Sequence, residues 1–245
     1  MADLKLCSPQ MLSTMKNIAI ILAGGSGRRM GAGLPKQFLK VNNRMVIEHT
    51  IDTFERATCI NEIAIVSHPD YIEEMQNIIA SNPWTKVTQV LQGGKERTDS
   101  TLSALHAYTN NNDRLLIHDG VRPLVSQQII ENVCNALKEY DAVNLAIPAV
   151  DTIIEVKDDI MVAAPRRDIL RQVQTPQGFK RQVLFEAFER ALKDPEFMAT
   201  DDCGVVFKYH PETQIKIVAG ENSNIKITYK EDLEFFKKYH TLTND

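Results

Sequence analysis

The sequence is short of several things, and each shortage narrows the reading. It has 4 cysteines in 245 residues, Cys7, Cys59, Cys134 and Cys203, with no C-x-x-C spacing. That argues against a zinc site or a disulfide framework and suits a reduced, cytoplasmic protein. No apolar run approaches the roughly 20 residues of a membrane span. The opening stretch MADLKLCSPQMLSTMK has no long apolar core, so it does not read as a secretory signal. Residues 1–15 read instead as a disordered N-terminal extension, with Met15 as a candidate start just ahead of the first strand. There is no excess of positive charge: the net charge is -4, which gives no support for a general nucleic-acid binder. Internal repeats and low-complexity segments are also missing.

What is present is an alternation. IAIIL at 18–22 is a short unbroken apolar run, as a buried parallel strand reads. Val46, Ile47, Ile51 and Phe54 then recur at helical spacing. EIAIVS (62–67) and KVTQVL (86–91) predict strands, with a helix over YIEEMQNIIA between them. Thr98 and Asp99 precede an apolar period in TDSTLSALHAY, a helix-start signature. RLLIHD (114–119) predicts a strand that ends on charge. SQQIIENVCNALKEY is an amphipathic helix with Ile130, Val133, Cys134 and Leu137 on one face, and AVNLAIPAV (142–150) is a further strand. The pattern predicts an α/β fold with a Rossmann-like, mostly parallel sheet and helices on both faces. Helices at 180–193 and 201–209, strands at IKIVAG and NIKIT (224–228), and a helix over KEDLEFFKKYH complete a single domain over 16–240.

The rhythm breaks between Pro148 and Gln177. Two short alternating runs flank the charged turn VKDDI, which reads as a protruding β-hairpin arm over about 148–172. A two-stranded arm is marginal alone in water, so it must pack against something, and a second subunit is the natural candidate.

The densest motif is ILAGGSGRRMGAGLPKQF, Ile21–Phe38, where a strand empties into a loop with five glycines. Ligands of parallel α/β sheets bind beyond the carboxyl ends of the strands, where this loop lies. It lacks the Gly-Lys-Ser/Thr ending of a Walker loop. Met30 breaks a dinucleotide fingerprint, and Arg28 breaks a nucleophile elbow around Ser26. What remains is a glycine loop carrying Arg28, Arg29 and Lys36. Its backbone donors and cations suit a triphosphate, against the plainer reading of a surface turn with solvated basic residues.

Other motifs fall at the same sheet edge. GGKERTDS (Gly93–Ser100) follows a strand and opens a helix, whose N-terminus favours anions. Ser100 reads either as a base-edge contact or as an ordinary first-turn residue. In HDGVRP, Asp119 is either a Mg²⁺ ligand or a turn cap, Arg122 a partner for Asp119 or a phosphate, and His118 a structural residue. TDD (200–202) reads as a helix cap. Lys226 sits in a strand-like run where an unpaired lysine is unfavourable, so it should face a ligand or a carboxylate.

Taken in order, LAGGSGRRMG, LPKQF, GGKERTDS, HDGVRP, PAVDT, QTPQGF, TDD and NIKIT resemble the 2-C-methyl-D-erythritol 4-phosphate cytidylyltransferase family, from about Lys16 to the C-terminal helix. The resemblance implies a Mg²⁺-assisted in-line attack of a polyol phosphate on the α-phosphorus of CTP, giving a CDP-polyol and pyrophosphate. It implies Arg29, Lys36 and Lys226 as the catalytic cations. It gives the nucleotide to Ala23, Gly24, Gly25, Ser26, Gly27, Arg28, Gly94, Arg97 and Ser100, with cytosine on the 23–25 backbone, Gly94 and Ser100. It gives the acceptor to Asp119, Arg122, Thr175, Thr200 and Arg167, the last reaching across a homodimer on the arm, and the metal to Asp119. LAGG and the valine of HDGVRP are similar to the related ribitol 5-phosphate cytidylyltransferases, whereas GGKERTDS and TDD look more like the methylerythritol enzymes. D-ribitol 5-phosphate is therefore the alternative acceptor.

Overall fold

A computed structural model describes residues 14–25 and 34–244. The expected extension, apart from its last two residues, and the loop positions Ser26, Gly27, Arg28 and Arg29 lie outside the described residues. The chain forms β1 (Asn17–Ala23), the short pair β2 (Lys40–Val41) and β3 (Arg44–Met45), then α1 (Val46–Arg56). Next come β4 (Glu62–Ser67), α2 (Ile72–Ala80), β5 (Val87–Gln92), α3 (Arg97–Ala107) and β6 (Arg114–Asp119). They are followed by α4 (Gln127–Ala136), β7 (Ala142–Pro148), β8 (Glu155–Lys157), β9 (Ile160–Ala163) and β10 (Arg171–Lys180). The last elements are α5 (Arg181–Ala191), α6 (Asp202–Tyr209), β11 (Ile215–Ala219) and α7 (Lys230–Asn244).

Among the described residues one seven-stranded sheet runs β11-β7-β10-β6-β1-β4-β5. β4 and β6 flank β1 in parallel, β5 extends β4, and β11 pairs β7 in parallel. The order β5-β4-β1-β6 is the doubly wound, Rossmann-like arrangement, and its direction reverses between β1 and β6. The crevice beyond the carboxyl ends of those two strands is where such sheets take ligands.

Strand alternation divides the core. Ala19 and Ile21 of β1 join Ile63 and Ile65 of β4 under α1, α2 and α4, with Ile51, Phe54, Met75 and Val133. Ile18 and Ile20 face the other way, with Ala64 and Val66, against Leu105 of α3, Phe188 of α5 and Val206 of α6. These strands read as continuous apolar runs because both faces are covered.

The fold departs from the sequence reading in three places. QTPQGF belongs to β10, a ten-residue strand antiparallel to both β6 and β7, where the sequence reading has no element between the arm and the helix at 180. Its polar composition hid it: Gln174, Thr175 and Gln177 are buried but hydrogen-bonded. NIKIT is not a strand. It is extended chain whose Ile227 amide bonds the Val121 carbonyl at 2.9 Å. The β2–β3 hairpin was not foreseen; its Asn42–Asn43 turn has φ 50 and 63, as an Asn-rich two-residue turn permits. The same geometry recurs in the VKDDI turn, where Asp158 and Asp159 have φ 50 and 61 between β8 and β9.

Candidate active site

The site is organised by the end of β6. Asp119 is buried, and three cations surround its carboxylate: Lys226 Nζ at 3.1 Å, Arg122 Nε at 3.3 Å and Arg97 Nε at 3.7 Å. Burial alone would raise its pKa, but Lys226, Arg97 and Arg122 outweigh it and hold Asp119 ionised, well below the ordinary carboxylate range. His118, fully buried next to it, is held neutral; burial brings its pKa down to about 4. Its Nε2 meets the Arg122 carbonyl at 3.2 Å and its Nδ1 meets Thr175 Oγ1 at 3.0 Å, while the Asp119 amide donates to that hydroxyl at 3.1 Å. In the neutral ring one nitrogen donates and the other accepts, so the carbonyl takes Nε2–H and Nδ1 takes the hydroxyl proton.

The end of β1 supplies the second wall. Gln37 Nε2 donates to the Ala23 and Gly25 carbonyls at 2.7 and 3.1 Å, tying LPKQF to the start of the glycine loop. Lys36 is buried and its Nζ donates to the Ile227 carbonyl at 3.0 Å. Ser100 in the first turn of α3 is also buried, close enough that a Cβ on Gly24 would lie 3.3 Å from its Oγ. Gly94 is needed for close approach: a Cβ there would lie 2.2 Å from that of Asp99, whose carboxylate accepts from the Glu96 amide at 3.0 Å.

The third wall comes from β10 and α6. Asp201 caps α6 by accepting from the Gly204 amide at 2.8 Å. Asp202 does something else. It is fully buried and receives Arg97 Nη1 at 2.5 Å and Thr101 Oγ1 at 2.8 Å. Asp202 and Asp119 keep Arg97 charged although burial opposes it. Sequence reasoning missed Asp202, Gln37, Gln177 and Asn224. One signal was available: a helix needs one capping carboxylate, and TDD offers two.

Two cavities meet here. One, of about 660 Å³, is lined by Ala23, Gly24, Gly25, Lys36, Gly94 and Ser100 among others. The other, of about 640 Å³, is lined by Arg122, Thr175, Gln177 and Thr200 among others. Arg97, Asp119 and Lys226 line both. Arg167 lines neither. It lies in a separate cavity at the base of the arm with Arg166, Asp168 and Arg171, and its Nη1 donates to the Val150 carbonyl at 3.0 Å.

A doubly wound sheet with a glycine turn after its first strand and cations between two adjoining cavities has the layout of a nucleotidyltransferase. Over residues 17–241 the chain matches the family model of 2-C-methyl-D-erythritol 4-phosphate cytidylyltransferase, and it belongs to that family. It is therefore an enzyme of the cytidylyltransferase class. It is 41% identical over 222 residues to the 2-C-methyl-D-erythritol 4-phosphate cytidylyltransferase of Thermobifida fusca, covering 88% of this chain and 89% of that protein. It is 43% identical over 222 residues to the bifunctional ribulose 5-phosphate reductase/CDP-ribitol pyrophosphorylase of Haemophilus influenzae. That match covers 89% of this chain but 47% of the longer protein. Among solved structures, the 4-diphosphocytidyl-2C-methyl-D-erythritol synthase of Anaerococcus prevotii superposes with a TM-score of 0.81 at 33% identity, over 93% of this chain and 99% of that one.

Proposed function

We propose that the protein joins CTP to 2-C-methyl-D-erythritol 4-phosphate, releasing pyrophosphate. The observation that carries this reading is the pair of cavities that share Arg97, Asp119 and Lys226. Two substrates lying in them would meet at these residues. In the first, the Ala23–Gly25 backbone, Gly94 and Ser100 take the cytidine; Ser26, Gly27 and Arg28, outside the described residues, are assigned to the nucleotide by motif alone. Lys36 and Lys226 then face the charge that builds on the α-phosphate and the departing pyrophosphate, and the motif assigns Arg29, outside the described residues, to the same task. In the second, Thr175, Thr200, Asp119 and Arg122 orient the polyol so that its phosphate attacks in line. Such transfer depends on position and charge stabilisation more than on covalent chemistry.

Of the charged groups gathered at Asp119 only its own carboxylate can ligate Mg²⁺, and the three cations cannot, so an ion here would be held mainly by substrate phosphate oxygens. Among the described residues no group of three or more His, Cys, Asp or Glu side chains gathers, and we propose that the protein's share is the ionised Asp119 carboxylate. That is the usual share in nucleotide sites, where phosphate oxygens and water complete the shell. When bound, the ion neutralises phosphate charge.

The arm completes the reading. Val150, Val156, Ile160, Met161, Val162 and Ile169 are all exposed on or beside the arm, an apolar group of the kind that marks an interaction site. We propose that a second copy covers it in a homodimer and that Arg167 there grips the acceptor phosphate of the partner site. Among the described residues no helix is long and apolar enough to cross a membrane, and we place the enzyme in the cytoplasm. D-ribitol 5-phosphate remains a second reading because of the 43% identity to the Haemophilus influenzae protein. Pyrophosphate release with CTP and Mg²⁺, with each acceptor in parallel, tests both. Turnover with methylerythritol phosphate alone supports the proposal; turnover with ribitol phosphate alone replaces it.

A further inference from the structure

The segment Asn224–Ile227 has no place in the sheet, yet three of the site's cations depend on it. Arg122 Nη1 donates to the Asn224 carbonyl at 2.7 Å, and Lys36 Nζ donates to the Ile227 carbonyl at 3.0 Å. Lys226, between them in the chain, reaches Asp119. A stretch without ladder hydrogen bonds is a poor platform unless something else fixes it. The Asn224 side chain is fully buried and donates from Nδ2 to the Thr175 carbonyl at 2.9 Å and to Gln174 Oε1 at 3.4 Å. Both acceptors belong to β10, the strand whose Thr175 hydroxyl also receives the Asp119 amide. Asn224 Oδ1, in contrast, is buried without a hydrogen-bond partner. An unpaired buried oxygen is unfavourable, so the fold keeps this amide for what its nitrogen does.

We propose that Asn224 is a positioning residue for cytidylyl transfer: by clamping its segment to β10 it sets Lys226 against Asp119. Only a side chain with a donor at that reach makes the clamp. Aspartate has the shape but presents oxygens to two acceptors, and alanine has no donor. Asn224 touches no substrate in this scheme. The inference rests on the reading of Lys226 as a cation of the transfer site.

The test is a double-mutant cycle of Asn224→Ala and Lys226→Ala, with pyrophosphate release followed at saturating CTP and acceptor. The acceptor is 2-C-methyl-D-erythritol 4-phosphate, or D-ribitol 5-phosphate if that is the one turned over. Misplacement of reacting groups by about 1 Å costs on the order of 10²-fold, so Asn224→Ala should lower kcat roughly 10- to 100-fold per folded molecule. The KM for CTP should stay within about twofold, since the groups moved act in the transition state. In the Lys226→Ala background the same change should cost under about threefold, because its target is already gone. An unchanged kcat for Asn224→Ala, or the full loss repeated without Lys226, overturns the proposal. If Asn224→Ala does not fold, Asn224→Ser, which keeps a hydroxyl donor on a shorter arm, is carried through the same cycle with the same criteria. Full activity of Lys226→Ala alone would instead refute the site assignment, so the two failures are distinguishable.

Discussion

The surroundings of Asp119 and the hairpin arm are built on opposite terms. Around Asp119 most polar groups find partners within the chain, Asn224 Oδ1 and Arg97 Nη2 excepted: three cations face one carboxylate, and Thr175, His118 and Asn224 close the ring behind it. Along the arm, Ile160 and Val162 are 68% and 57% exposed, and the β8–β9 pair bonds chiefly to itself. The first region is arranged before any ligand arrives, which is how electrostatic catalysis avoids reorganisation during the reaction. The second is finished only by a surface from outside the protomer, as we propose for the dimer.

Substitutions can sharpen that contrast. The largest effect should come from the prearranged region. Lys36→Ala should lower kcat by about 10²–10³-fold, the range for removing one preorganised donor, with an unchanged circular dichroism spectrum; normal turnover would remove Lys36 from the mechanism. The next should come from the arm. Ile160→Asp with Val162→Asp should convert a dimer to a folded monomer in sedimentation, because charge is not tolerated in an apolar contact, and raise the acceptor KM at least as far as loss of Arg167 does. A dimer that survives the double change would place the subunit contact elsewhere. Arg167→Ala isolates the charge from the assembly. Loss of one charge-assisted contact of about 1.5–3 kcal/mol should raise the acceptor KM roughly 10- to 100-fold while the CTP KM stays put. An unaltered acceptor KM would sever the arm from the site. The smallest effect should fall on stability. A Cβ on Gly220 would lie 2.3 Å from Gln174 Oε1, so Gly220→Ala should destabilise by about 1–3 kcal/mol through forced displacement of Gln174. A melting temperature equal to that of the parent would show that Gln174 yields freely.

The sequence was most legible where one physical effect dominates. Apolar runs such as Ile18–Leu22 and Ile63–Val66 mark strands because they are buried on both faces, and VKDDI marks a turn because Asp tolerates positive φ. β10 escaped because a strand built from Gln174, Thr175 and Gln177 satisfies itself with hydrogen bonds that only the fold supplies. NIKIT misled in the other direction: β-branched residues suggest pairing, but Val121 offers it a single backbone contact. Motif order pointed to Lys36, Asp119 and Lys226, which the fold brings to one cavity. It could not point to those that hold them, because Asp202 and Asn224 act through partners 105 and 49 positions away in the chain.

The reversed strand has a consequence for how the molecule is made. β6 and β7 are complete by Pro148, but they flank β10 and are not paired with each other. On the ribosome the chain must therefore wait until Lys180 has left the exit tunnel before β7 can be joined to β6 and the strands beyond it. Until then β6 and β7 each carry a bare strand edge of the kind that seeds association between nascent chains. Asp119 sits at the end of one of those edges, so the last strand to enter the middle of the sheet is also the one that closes the cavity around that carboxylate.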